Sequence, residues 1–264
     1  MAAETSLLPK ASGTRRARVV GVRVDPVSPA EAVRRVIEWA QQGESRYVCV
    51  ANVHMLMEAR DTPPFRHVLE RADLVVPDGM PLVWMLRRTG FPGQQRVYGP
   101  ALMDELCREA ARAGVPIGLY GGTRLTLARL ERNLRRRHPG LRIAYAWSPP
   151  FRPLTAEEDE GVVRDIRSRG VRLLFVGLGC PKQERWMASH RGRIPAVMVG
   201  VGAAFDLHAG VRRQAPRWMQ AAGLEWLFRL LQEPRRLWRR YLKHNPRFVI
   251  LACGELVASR WRRG

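Results

Sequence analysis

The chain has 264 residues, 46% of them hydrophobic and 26% charged, which suits one folded domain with or without a small appendage and excludes a low-complexity chain. Forty-five Lys and Arg against 24 Asp and Glu give a formal charge of +21, so an anionic partner is expected: nucleic acid, a bilayer surface or a phosphorylated substrate. Cys49, Cys107, Cys180 and Cys253 are far apart with no Cys-x-x-Cys pair, which excludes a disulfide framework and reads as buried thiols in a reducing compartment.

Residues 1–16 are small, polar and basic without periodicity and are expected to form a disordered tail; no apolar run follows Met1, so no signal peptide is expected. From Ala17 onward, short β-branched runs alternate with amphipathic segments, the signature of βα units around a largely parallel, Rossmann-like sheet. Strands are expected at 18–24, 47–51, 74–76, 116–120, 142–146, 171–176 and 196–201. Ser28 with Glu31, and Thr155 with Glu158, have the spacing at which an N-cap hydroxyl and an N3 carboxylate satisfy each other's backbone amides. The longest near-apolar stretch, 194–205, is too short to cross a bilayer as a helix. The pattern divides into a core at 17–210 and a helical appendage at 211–264. That last segment holds 13 basic and 3 acidic side chains, interleaved with Trp218, Trp226, Trp238 and Tyr241. Aromatic and arginine residues on one helix suit an anionic membrane surface, contacted peripherally.

In an open parallel sheet, ligands bind outside the carboxyl ends of the strands, so the residues that follow each strand are the candidates. Gly177 and Gly179 follow one apolar run and precede a helix beginning near Pro181, a grammar that lets backbone amides approach a diphosphate. Gly121 and Gly122, followed by a Thr123 cap, repeat it. The spacing is not Gly-x-Gly-x-x-Gly and no ribose-binding acid follows, which counts against a dehydrogenase. Asp78, between Pro77 and Gly79, is either a general base at the crevice mouth or the cap of a helix starting at Met80. Asn52 ends another strand and suits sugar hydroxyls, His54 is left unassigned, and Asp206 suits a ribose or hexose. No Asp-x-Asp pair is present, so no divalent-ion clamp, metal site or cofactor is expected, and a diphosphate would fall to amides and arginines. Arg96 is one such arginine. Arg229, Arg236 and Arg239 share a helical face provided Pro234 does not turn the axis. A nucleic-acid-binding module is disfavoured because the aromatics sit with Leu on helices rather than on an exposed stacking sheet.

Together, Ala51-Asn52, the run from Ala72 to Gly79, Arg96 to Gly99, Tyr120 to Gly122, Val176 to Glu184 and Gly202 to Asp206, with Trp226, Arg229, Glu233-Pro234 and Tyr241 in the tail, resemble the WecG/TagA/CpsF glycosyltransferases. The resemblance implies an inverting, metal-independent enzyme that moves N-acetylmannosamine from a UDP-sugar donor to a polyprenyl-diphosphate-linked acceptor. It implies Asp78 as general base, Asn52 and Gln183 near the sugars, Arg96 near the diphosphate and Asp206 by the nucleotide. It also implies that Arg229, Arg236 and Arg239 come over the site at the inner face of the cell membrane. Cytoplasmic placement is expected, no nucleic-acid partner, and a homo-oligomer is allowed. Val50 stands where relatives often carry Thr, so another donor such as glucuronic acid or glucose remains an alternative.

Overall fold

The computed structural model describes residues 16–261; the expected basic tail lies outside the described residues except for Arg16. Six strands form one fully parallel sheet in the order β4-β3-β8-β7-β5-β6. They are β3 (Arg46–Ala51), β4 (Leu74–Pro77), β5 (Ile117–Gly121), β6 (Ile143–Trp147), β7 (Leu173–Gly177) and β8 (Val197–Gly200). The chain lays β3 and β4 on one side, β5 and β6 on the other, and closes the middle with β7 and β8. All six carboxyl ends therefore point the same way, and the crevice forms there.

Both faces of the sheet are covered, which is why its strands read as continuous apolar runs rather than as alternation. Tyr47, Cys49 and Ala51 of β3 pack into one buried cluster, and Val48 and Val50 pack into the other. The second cluster is covered by α1 (Pro29–Gln41), α5 (Gly99–Arg112), α6 (Arg124–Arg137) and α9 (Ala204–His208). The first is covered by α2 (Val53–Asp61), α3 (Pro63–Arg71), α4 (Met80–Arg88), α7 (Ala156–Ser168) and α8 (Lys182–His190).

Both expected helix starts are present, with a difference. Thr155 and Glu158 form the reciprocal box at 3.2 and 2.9 Å. Ser28 caps α1 through the Glu31 amide at 3.1 Å, but the Glu31 carboxylate turns to Arg35 at 2.5 Å instead.

The run expected as one strand at 18–24 is a correction. It folds as a hairpin of β1 (Ala17–Val19) and β2 (Val22–Val24), outside the main sheet, because Val20 and Gly21 both take positive φ, 48° and 78°. That two-residue turn matches the twist of paired strands. The hairpin delivers Asp25 to the edge strand: its amide donates to the Val75 carbonyl and its Oδ2 accepts from the Val75 amide, both at 2.8 Å. Arg23 holds the same carboxylate through two bonds of 2.9 and 2.7 Å, and both side chains are buried. The open edge of β4 is thus occupied by the chain itself.

Three further helices follow α9: α10 (Arg217–Ala221), α11 (Glu225–Gln232) and α12 (Pro234–Trp261). Glu233 leaves helical geometry, with φ −135° and ψ 59°, so α11 and α12 are separate helices and the arginine stripe is not carried on one axis. Leu237, Phe248 and Ala252 of α12 are buried, and the helix packs on α2 and α4. Of the cysteines, Cys49 and Cys107 are buried as expected, Cys180 is half-buried, and Cys253 is exposed.

Candidate functional site

A cavity of about 1120 Å³ opens over the carboxyl ends of β3, β4, β5, β7 and β8, and α11 with the start of α12 forms its far wall. Asp78 stands at its floor. Its amide donates to the Ala51 carbonyl at 2.8 Å, and the following Gly79, with no side chain to offer, caps α4. Asp78 therefore does not cap the helix, and its carboxylate is free for other work. The loop before α5 runs alongside, pinned by the Val97 amide on the Pro77 carbonyl at 2.9 Å. It brings Arg96 onto Asp78 Oδ1 through Nε at 3.1 Å and Nη2 at 2.9 Å, with a further bond from Nε to the Asp78 carbonyl. Oδ2 has no hydrogen-bond partner among the described residues. Burial pushes the Asp78 carboxyl above its ordinary pKa; Arg96 pulls it down, Glu225 pushes it up and Arg229 pulls it down.

Asn52 ends β3 as expected and lines the cavity, but its Oδ1 caps α2 through the Met55 amide at 3.2 Å, which leaves the side-chain N–H groups to face a ligand. Gln183 is more committed. Its Oε1 accepts from the Gly179 amide at 3.1 Å and its Nε2 donates to Glu184 at 2.7 Å, so it fixes the loop after β7. The glycines divide by cause. A Cβ on Gly121 would stand 2.5 Å from the Gly177 carbonyl oxygen, and one on Gly177 would stand 2.7 Å from the Phe205 ring, so close packing of two strand ends requires both. Gly179 has φ 79° with open space around it, and it is the glycine whose backbone a ligand can approach. Gly122 also lines the cavity, where Thr123 caps α6 through the Thr126 amide at 3.1 Å.

The last helices supply the cationic wall. Arg229 and Arg236 line the cavity, whereas Arg239 is exposed, lies outside it and stacks over the Trp238 ring at 5.3 Å. Arg240, one residue on, takes the inward place. Two acidic residues of α11 and its end meet the core's cations. Glu225 accepts from Arg96 at 2.7 Å. Glu233 accepts from Arg212 at 2.9 Å and also pairs with Arg236, while Arg212 holds Asp206 at 3.0 Å. Asp206 thus sits in the cavity wall inside a network of charges.

Residues 17–262 match the family model described as Glycosyl transferase WecG/TagA/CpsF family. The chain belongs to the WecG/TagA/CpsF family of glycosyltransferases. It is 31% identical over 222 residues to the N-acetylglucosaminyldiphosphoundecaprenol N-acetyl-beta-D-mannosaminyltransferase of Bacillus spizizenii, across 84% of this chain and 84% of that protein. In this WecG/TagA/CpsF member, Val50 is buried in the cavity wall and its Cγ1 lies against Gly99, so an apolar methyl group faces the site there.

Sequence reasoning gave no role to Glu225, Glu233, Arg212 and Arg240, because nothing in the spacing of the last helices says which acids and bases fold back on the sheet. It also gave no role to Glu184, although Glu184 follows the glycine loop directly. Glu184 is fully buried, one of its oxygens has no partner, and burial raises its pKa from 4.5 to about 7. A carboxyl whose native pKa is raised stabilises the fold while protonated, so this contribution is present below pH 4.5 and lost as pH rises through about 7. The difference in unfolding free energy between the parent and Glu184→Gln should therefore change by about 3 kcal/mol across that window. Urea titrations at a series of pH values measure it, and a pH-independent difference would refute the assignment.

Proposed function

We propose that this glycosyltransferase moves N-acetylmannosamine from its UDP form onto a polyprenyl-diphosphate-linked N-acetylglucosamine by inverting, metal-independent displacement. The observation that carries this reading is Asp78: one oxygen is fixed by Arg96 and the other is unpartnered, at the floor of an arginine-lined cavity. Asp78 Oδ2 takes the proton of the acceptor hydroxyl, the hydroxyl oxygen bonds to the anomeric carbon, and the bond from that carbon to the diphosphate breaks. UDP leaves with the electron pair and is met by Arg229 and Arg236, with the Gly179 loop and Asn52 holding phosphate and sugar, while Arg96, outside the cavity lining, stays on the base. Five nearby groups already pair carboxylates with guanidinium groups, Arg96 with Glu225 and Arg212 and Arg236 with Glu233, which suits a cavity tuned to a multiply charged anion.

The Bacillus relative supports N-acetylmannosamine as donor sugar, and Val50 keeps glucuronic acid and glucose as alternatives within the same mechanism. Saturation-transfer NMR with a panel of UDP-sugars tests the donor. UDP-N-acetylmannosamine should give the strongest transfer to its uracil and sugar protons, and a clear preference for another sugar would reassign the donor.

Among the described residues no helix is long and apolar enough to cross a membrane. The outer side of α12 exposes Trp238, Leu242, Val249, Ile250 and Val257 beside the exposed Arg235 and Arg239. That composition supports peripheral contact with an anionic bilayer, where the lipid-linked acceptor resides. Replacing Leu242, Ile250 and Val257 together by Gln should reduce co-sedimentation with anionic liposomes several-fold without lowering Tm. Unchanged sedimentation would remove α12 as the contact.

A further inference from the structure

The seam between α2 and α12 holds a second chemical cluster. His54 and Glu58 lie one turn apart on α2, and α12 sets His244 against them, with one ligand atom of each within 4.8 Å of the others. His244 Nε2 is 3.3 Å from Glu58 Oε1, His54 Nδ1 is 4.0 Å from the same oxygen, and the two rings are 5.1 Å apart. The Nδ1 atoms of both histidines are buried without a hydrogen-bond partner. A buried polar nitrogen with no partner is costly, and that of His54, beside the Glu58–His244 pair, calls for an occupant.

We propose that His54, Glu58 and His244 form a divalent transition-metal site that clips α12 to α2. Two imidazoles and a carboxylate are a donor set for Zn²⁺ or a metal of similar softness, and not for Mg²⁺ or Ca²⁺, which take oxygen ligands. Ligands roughly 2.0–2.2 Å from a tetrahedral zinc stand about 3.3 Å from one another, so the Glu58 and His244 atoms are already at ligand spacing, and His54 has to close by roughly 0.7 Å on Glu58 and by up to about 1.5 Å on His244. Three protein ligands leave a fourth position for water.

The surrounding charge sets the strength of the site. Arg247 and Lys243 lie 2.8 and 3.7 Å from Asp61 and are offset by it, while the guanidinium of Arg240 is left facing the seam. That uncompensated cation weakens the site relative to a closed structural zinc. Because His54 and Arg240 also line the cavity, a metal here would fix the position of the cationic wall from outside the reacting atoms. The site rests on the seam alone and is independent of which sugar is transferred.

Titration calorimetry of the full, tag-free chain with Zn²⁺ and with Co²⁺, in the absence of sugar nucleotide, tests it. One equivalent should bind, Co²⁺ should give visible absorption bands of a four- or five-coordinate ion, and a hundredfold excess of Zn²⁺ over Kd should raise Tm by roughly 5–10 °C. His54→Ala and His244→Ala should abolish the stoichiometric site, and Glu58→Gln should weaken it at least tenfold. If His244→Ala does not fold, His54→Ala and Glu58→Gln decide the matter. No stoichiometric binding by the parent chain, or equal binding by His54→Ala and Glu58→Gln, would overturn the proposal.

Discussion

Replacing Asp78 by Asn should lower kcat by about 10²–10⁴ while leaving the fold and donor affinity close to those of the parent chain. Asn keeps the shape and can still accept from Arg96 through one oxygen, but it offers an amide where Oδ2 would take the acceptor proton. The change falls on kcat because donor binding rests on other groups: the Gly179 loop, Arg229 and Arg236. Circular dichroism and Tm check the fold, and a transfer assay with lipid-linked acceptor reads the rate. The raised pKa of Asp78 adds a pH signature. The base works only when ionised, so the rate should rise with pH along an acid limb set by Asp78.

Arg96→Ala should cost about 10² in kcat, because Asp78 loses the guanidinium that orients its carboxylate. It should also move the acid limb of the rate profile to higher pH. Arg96 lowers the Asp78 pKa, so its loss leaves burial and Glu225 to raise it against Arg229 alone. Glu225→Gln should act in the opposite direction, because Glu225 raises that pKa, and its acid limb should shift to lower pH. The opposed shifts separate a direct electrostatic role from general damage to the site, which would move both variants the same way. Full pH profiles of kcat for the three proteins make the comparison.

The sheet was legible from the sequence because both of its faces are buried. Runs such as Leu74–Pro77 and Leu173–Gly177 are apolar throughout, and the glycine or polar residue after each marks where the crevice opens. Asp78 and Asn52 could be located for the same reason. The hairpin at β1 and β2 was not legible, since a Val in left-handed geometry at Val20 gives no turn signal beyond the single Gly21. The cationic wall was legible in composition and not in detail. Helical spacing grouped Arg229, Arg236 and Arg239, but the break at Glu233 rotates α12 so that Arg240 enters the cavity and Arg239 leaves it. Pairings between distant elements, Arg96 with Glu225 and His54 with His244, depend on where α11 and α12 land, and local pattern carries no record of that.

The anomeric configuration of the product tests the central claim most directly. With UDP-N-acetylmannosamine, whose sugar is α-linked, and a polyprenyl-diphosphate-linked N-acetylglucosamine, single displacement assisted by Asp78 requires a β-linked disaccharide. The one-bond C1–H1 coupling of the new linkage reports it by NMR. A β linkage from the parent chain is the predicted result, and an α linkage, which a single backside displacement cannot give, would contradict the account.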